Sequence, residues 1–312
     1  VLLFDGELRP AGHVRLPAPA ERLLFAPDGA SLFAGISPTA GATVLARFGR
    51  GQGVALVSGR ALFGAVRRIA LAADGQTLLV ALGSQIGLGI ASTGTLAVER
   101  PLAGCDANDL VLTETGERVY VLCDEDHIAE VDPALRLVVR KALLSADSIP
   151  CRPRAGALSV NGTVLFVACA ASGRLLYLDR VTLKPFDSVA VAPGTARLVL
   201  TPDGRRALLA NPDAGALAVI DVRARTARRF VAIPGATDIA VAADGRAFVL
   251  GARRLVEVDA YEGRVYREIE VDEGARAVAA WPGPAEARMS WGYGAPDPGV
   301  SASASASRAG TL

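Results

Sequence analysis

Apolar and polar positions along the chain fall into short alternating runs, and pairs of runs flank a turn built on Asp-Gly or a close variant. The pattern is plain in "RLLFAPDGASLFAG", "RIALAADGQTLLVAL", "DLVLTETGERVYVL", "GALSVNGTVLFVAC", "RLVLTPDGRRALLAN" and "DIAVAADGRAFVLG". Alternation over four to eight residues with Gly at the turn predicts antiparallel hairpins, because Gly reaches the positive φ that tight turns need. The turn glycines are Gly29, Gly75, Gly116, Gly162, Gly204 and Gly245, spaced by 46, 41, 46, 42 and 41 residues. A seventh run, "RAVAAWPGPAEARMSW", places Gly283 a further 38 residues on.

Each of the first six hairpins is followed by a second, as in "HIAEVDPALRLVVRKAL" and "GALAVIDVRARTARRFVAI". Four strands per period of roughly 42 residues, with no sustained helical period, is the pattern of a β-propeller blade. The opening "LFDGELRPAGHVRL" matches a second hairpin with no first hairpin before it. The expectation is therefore an all-β, seven-bladed propeller over residues 1–291, with four antiparallel strands per blade. Its last blade would join inner strands at about 276–291 to outer strands from Val1 to Leu16. Joining chain ends in one blade would also protect strand edges.

The repeats resemble the YVTN family of β-propeller repeats. The resemblance rests on Thr201-Pro202-Asp203-Gly204, then Leu208-Leu209-Ala210-Asn211, then Val219-Ile220-Asp221. Val119-Tyr120-Val121 and Glu130-Val131-Asp132 repeat it in the third blade, and Asp5, Asp179 and Asp259 hold the same place in others. Blades one and two depart from it at Phe48-Gly49 and Ala91-Ser92. The resemblance implies a propeller fold over nearly the whole chain. It leaves function open, because such propellers serve as binding platforms, surface proteins and dehydrogenase subunits alike.

Composition narrows the function classes. Hydrophobic residues make up 51% of the chain but aromatics only 5%, so Ala, Val and Leu must fill thin layers. Basic residues number 33 against 32 acidic, which gives no electrostatic case for nucleic acid or an anionic membrane surface. Among the basic residues only Lys141 and Lys184 are lysines, so a single Arg carries little functional weight. No apolar run approaches the roughly 20 residues of a transmembrane helix. The absence of an initial Met suggests a processed or trimmed chain.

Four cysteines form two pairs, Cys105 with Cys123 and Cys151 with Cys169, each 18 apart and each straddling a hairpin turn. Residues equidistant from such a turn face each other at roughly 4.5–5.5 Å between Cα atoms, close to disulfide range. Two bridges are expected, and with them an oxidising, extracytoplasmic compartment that is periplasmic, secreted or at the cell surface. No CxxC spacing supports a thiolate metal site. Seven residues before the turn glycines stand Arg22, Arg68, Asp109, Arg197, Asp238 and, in the seventh repeat, Arg276. Blade four is a residue shorter there and offers Gly156 or the nearby Arg154. Equivalent positions should ring one mouth of the central channel, where arginines could hold an anionic ligand or a partner's carboxylate. The alternative is a belt that neutralises itself.

The loop "CDEDH" offers Asp124 and Asp126 as weak metal candidates, but without an EF-hand register it reads as a solvated acidic loop. "GRGQG" at 49–53 falls in a hairpin with no helix after it, which is not a dinucleotide site. "NGT" at Asn161 is a formal glycosylation sequon placed in a turn. His13 and His127 are the only histidines, and no nucleophile elbow is present, so no catalytic set and no cofactor are assigned. Residues 292–312, rich in Ala, Ser, Gly and Pro, read as a flexible tail. The expected role is a non-catalytic, extracytoplasmic scaffold subunit that binds other protein subunits. The alternatives are a propeller subunit of a periplasmic redox dehydrogenase complex, or a surface or cell-wall protein.

Overall fold

The computed structural model describes residues 2–4, 8–13, 16, 18–37, 43–50, 54–99, 101–144, 150–242, 244–272 and 275–280. The chain starts with a two-stranded antiparallel hairpin, β1 (Leu2–Phe4) and β2 (Pro10–His13). Six four-stranded antiparallel sheets follow. Blade one holds β3 (Ala20–Phe25), β4 (Ser31–Ile36), β5 (Thr43–Arg50) and β6 (Val54–Leu62). Blade two holds β7 (Val66–Leu71), β8 (Thr77–Leu82), β9 (Gly87–Ser92) and a two-residue β10 (Leu102–Ala103). Blade three holds β11 (Ala107–Leu112), β12 (Val119–Cys123), β13 (His127–Asp132) and β14 (Leu137–Leu143). In blade four are β15 (Pro153–Leu158), β16 (Val164–Cys169), β17 (Arg174–Asp179) and β18 (Pro185–Ala190). Blade five has β19 (Arg197–Leu200), β20 (Arg206–Asn211), β21 (Ala216–Asp221) and β22 (Thr226–Ala232). Blade six has β23 (Asp238–Val241), β24 (Arg246–Leu250), β25 (Arg254–Asp259) and β26 (Val265–Glu270).

The first strands of successive blades touch in order, β3 to β7 to β11 to β15 to β19 to β23, which puts them at the centre of a propeller. The turns between first and second strands behave as the sequence predicts. Gly29, Gly75, Gly116, Gly162, Gly204 and Gly245 all adopt positive φ, from 66° to 83°.

The blade count does not match the seven expected. Six four-stranded blades form, and the one further sheet among the described residues is the two-stranded β1–β2 hairpin. Residues 275–280 carry no strand, and 281–291 lie outside the described residues, as does the tail. In the described part of the expected hairpin, Ala-rich "RAVAA" at 276–280 has low strand propensity. The seam between blades six and one is filled differently. Leu8 packs with Phe248, Leu250 and Val271 of blade six, joined by Val278 and Ala280. Leu16 and Ala18 cover Leu32, Ala34 and Phe48 of blade one.

Between blades the core is a series of thin layers of small side chains. Leu79, Val121 and Val131 join blades two and three, Leu122 and Leu165 join three and four, and Leu208, Val219 and Val249 join five and six. Burying one such side chain stabilises by roughly 1.5–3 kcal/mol. The fourth strand of blade three, β14, alternates exposed and half-buried positions.

The motif residues of the repeats have local mechanical roles. Asp132, Asp179, Asp221 and Asp259 end the third strand and accept the N–H three residues on, at 2.9, 2.7, 2.8 and 3.1 Å. The following residue in each turn is left-handed, at Arg136, Leu183, Arg225 and Gly263. Asn211 accepts from Ala214 N–H at 2.8 Å and donates to the carbonyls of Ala192 and Pro193, tying its turn to the preceding loop. These residues shape turns, which is why they recur without indicating chemistry. Asp5 lies outside the described residues.

Candidate functional site at the channel mouth

Five of the six mouth positions come together where the inner strands begin. Arg197 Nε lies 2.8 Å from Asp238 Oδ1, and the same guanidinium lies 3.7 Å from Asp109. Arg68 lies 3.4 Å from Asp109. Arg22 donates to the carbonyls of Arg67 and Glu21, and its charge is felt by both aspartates. Asp109, Asp238 and Arg197 are 1%, 3% and 6% exposed, so this is a desolvated network rather than a solvated rim. Burial pushes both carboxyls above the ordinary carboxylate range, against the opposing pull of Arg68 on Asp109 and Arg22 on Asp238. Burial likewise holds the Arg22 guanidinium below its ordinary value.

Each aspartate also bridges to the segment that follows its blade. Gly156 N–H donates to Asp109 Oδ2 at 3.0 Å, and Val278 N–H donates to Asp238 Oδ2 at 3.0 Å. The place where blade four lacks a charge is therefore functional in packing. A Cβ at Gly156 would meet Val111, Leu122 and the Phe166 carbonyl at 2.8, 2.9 and 3.1 Å. Side chains of blades three and five meet past this gap, so the belt closes on itself at this level. The sixth position, Arg276, stands apart and pairs with Glu21 at 2.7 Å, linking the seam to blade one.

Three arginines face two aspartates in the network, and two further arginines flank it. Arg67 Nε is buried without a hydrogen-bond partner. Arg154 donates to Asn108 Oδ1 at 3.0 Å, and its charge is disfavoured first by burial and then by Arg67. Neither makes an ion pair within 4 Å among the described residues. The charges of Asp124 and Asp106 partly offset that of Arg154, so this side of the mouth presents guanidinium groups over an acidic loop.

Both expected disulfides are present. Cys105–Cys123 and Cys151–Cys169 have Cα separations of 5.8 and 4.5 Å, and no free cysteine remains. Each staples the segment entering a blade to its second strand, at the end of the molecule that carries the mouth. The acidic loop between them is already engaged by protein donors. Asp124 accepts from Asn108 Nδ2 and Arg152, both at 3.1 Å, and Asp126 accepts from Arg152 N–H. Glu125 accepts from Gln85 and from Asp106 N–H. Asn161 Oδ1 belongs to its turn, accepting from Ser159 and Thr163. The side chain of His13 lies outside the described residues.

Two buried glutamates were not legible as special in the sequence. Glu130 sits 2.6 Å from Arg140 and 3.6 Å from Arg118, and Glu257 sits 3.2 Å from Arg246 and 2.5 Å from Arg267. Both stand two residues before a turn aspartate, with arginines on or directly beside both neighbouring strands. That shared register is the signal that could have found them.

The chain matches no family model and no curated protein. Among solved structures it is similar to Kuenenia stuttgartiensis hydrazine synthase, with a TM-score of 0.70 and 16% identity, over 87% of this chain and 92% of that one. At that identity the likeness shows the fold. No helix among the described residues is long and apolar enough to cross a membrane.

Proposed function

We propose that the chain is a non-catalytic, extracytoplasmic propeller of the YVTN type that serves as an interaction subunit in a larger assembly. The observation that carries this reading is the pair Arg67 and Arg154, two arginines beside the mouth network that make no ion pair within 4 Å among the described residues. A protein partner that inserts a carboxylate there meets two guanidinium groups, and a bidentate Arg contact gives it orientation as well as energy. Two disulfides support an oxidising compartment. A mouth closed by its own ion pairs favours a docking surface over a deep small-molecule pocket. The test is co-purification from the native source with Arg67→Glu and Arg154→Glu variants. Loss of a stoichiometric partner from the double variant supports the reading, and retention at wild-type yield counts against it.

A second reading, a subunit of a redox enzyme complex, is favoured by the likeness to a hydrazine synthase structure over almost its full length. A haem or quinone chromophore that co-purifies on a partner chain distinguishes it from a scaffold in other assemblies.

A further inference from the structure

The two disulfides occupy equivalent places in adjacent blades but have different neighbours. In blade three, Cys123 on β12 pairs across the sheet with His127 on β13. In blade four, the position opposite Cys169 is Arg174. Cross-strand partners present their side chains on the same face of the sheet. Accordingly the two sulfurs of Cys105 and Cys123 and a ring nitrogen of His127 all lie within 4.8 Å of one another. His127 Nδ1 lies 3.4 Å from the Glu125 carbonyl, a partner for an Nδ1–H donor. In that tautomer Nε2 keeps its lone pair, and Nε2 is buried without a hydrogen-bond partner. A histidine with one nitrogen on a backbone carbonyl and the other free is arranged as a metal ligand.

From this geometry we infer that reduction of the Cys105–Cys123 bridge uncovers a three-ligand site for a soft divalent cation such as Zn²⁺, built from both thiolates and His127 Nε2. The bridge takes two electrons and two protons from a thiol reductant, which leaves as its own disulfide. Both thiols then release their protons to solvent as the metal–sulfur bonds form. The sulfurs separate from bonding distance to positions about 2.3 Å from the metal, with nitrogen at about 2.0–2.1 Å and water in the fourth position. The acidic side chains of Asp124, Glu125 and Asp126, on the loop joining Cys123 to His127, add negative charge near the cation. Bridge and metal compete for the same sulfurs, so the oxidised chain does not bind and the reduced chain does.

The test uses the full chain carrying Cys151→Ser and Cys169→Ser, reduced with a metal-free phosphine and titrated with Zn²⁺ and Co²⁺. The expected result is one equivalent bound only after reduction, with thiolate-to-cobalt charge-transfer absorption, and affinity at least about tenfold weaker in H127A. No binding by the reduced chain, or the same affinity in H127A, overturns the inference. If that background does not fold, the reduced wild-type chain is alkylated with and without Zn²⁺ and read by mass spectrometry. Zn²⁺ should protect Cys105 and Cys123 and leave Cys151 and Cys169 reactive. Equal protection of both pairs, or none, overturns it.

Discussion

Arg197 of blade five lies 3.7 Å from Asp109 of blade three, past the one blade whose mouth position is a glycine. That contact, with the 2.8 Å approach of Arg197 to Asp238, makes one network out of residues belonging to several blades. Removing one partner of such a buried pair strands the other charge. Arg197→Met is expected to lower unfolding stability by about 3–5 kcal/mol. Arg197→Met with Asp238→Leu should recover part of that loss, because fewer charges are then left stranded. Urea denaturation of the single and double variants measures the coupling, and strictly additive losses would contradict it.

Gly156 gives a separate reading of the same place. Its φ is not the constraint; the space is. Gly156→Ala should cost about 1–3 kcal/mol by overpacking and should loosen the N–H contact to Asp109. Thermal unfolding checks the size. A neutral result would mean that the sheet relaxes around the added methyl.

The disulfides should stabilise the ring independently. Each closes a loop with a sequence separation of 18, for which chain entropy gives about 3 kcal/mol. Cys151→Ser with Cys169→Ser should shift the denaturation midpoint by that order while leaving the sheet spectrum intact.

Acid should weaken the chain through its turns. Backbone N–H groups, Thr182 at Asp179 and Ala224 at Asp221, hold these carboxyls below the ordinary carboxylate range. The folded state therefore favours their ionised forms. Their contribution is present above the unfolded value near about 4 and is lost as pH falls through their lower folded values. Asp109 and Asp238, raised by burial, run the other way: their contribution is full below the unfolded value and fades as pH rises through the folded ones. Asp179→Asn with Asp221→Asn keeps the turn acceptors and should flatten the loss of stability below pH 4. An unchanged acid limb would contradict this.

Much of the fold is legible from residues alone because hairpin turns have local causes. The six turn glycines predict six first hairpins, and each forms. Of the seventh, only its expected first strand at 276–280 lies within the described residues, and the Ala-rich "RAVAA" there carries no strand. Spacing from the turn also brings Arg22, Arg68, Asp109, Arg197 and Asp238 to one mouth. Which arginine reaches which aspartate was not legible, because it depends on blade curvature and on the space beside Gly156. Arg67 lies one residue outside the counted position, and Glu130 and Glu257 look like ordinary outward charges until both adjacent strands are placed.

The most direct measurement is chemical cross-linking with mass spectrometry on the protein gently isolated from its native source. The account predicts a stoichiometric complex in which acidic partner residues map to the mouth around Arg67 and Arg154. Isolation of the single chain alone, or cross-links confined to the outer strands of the blades, would contradict it.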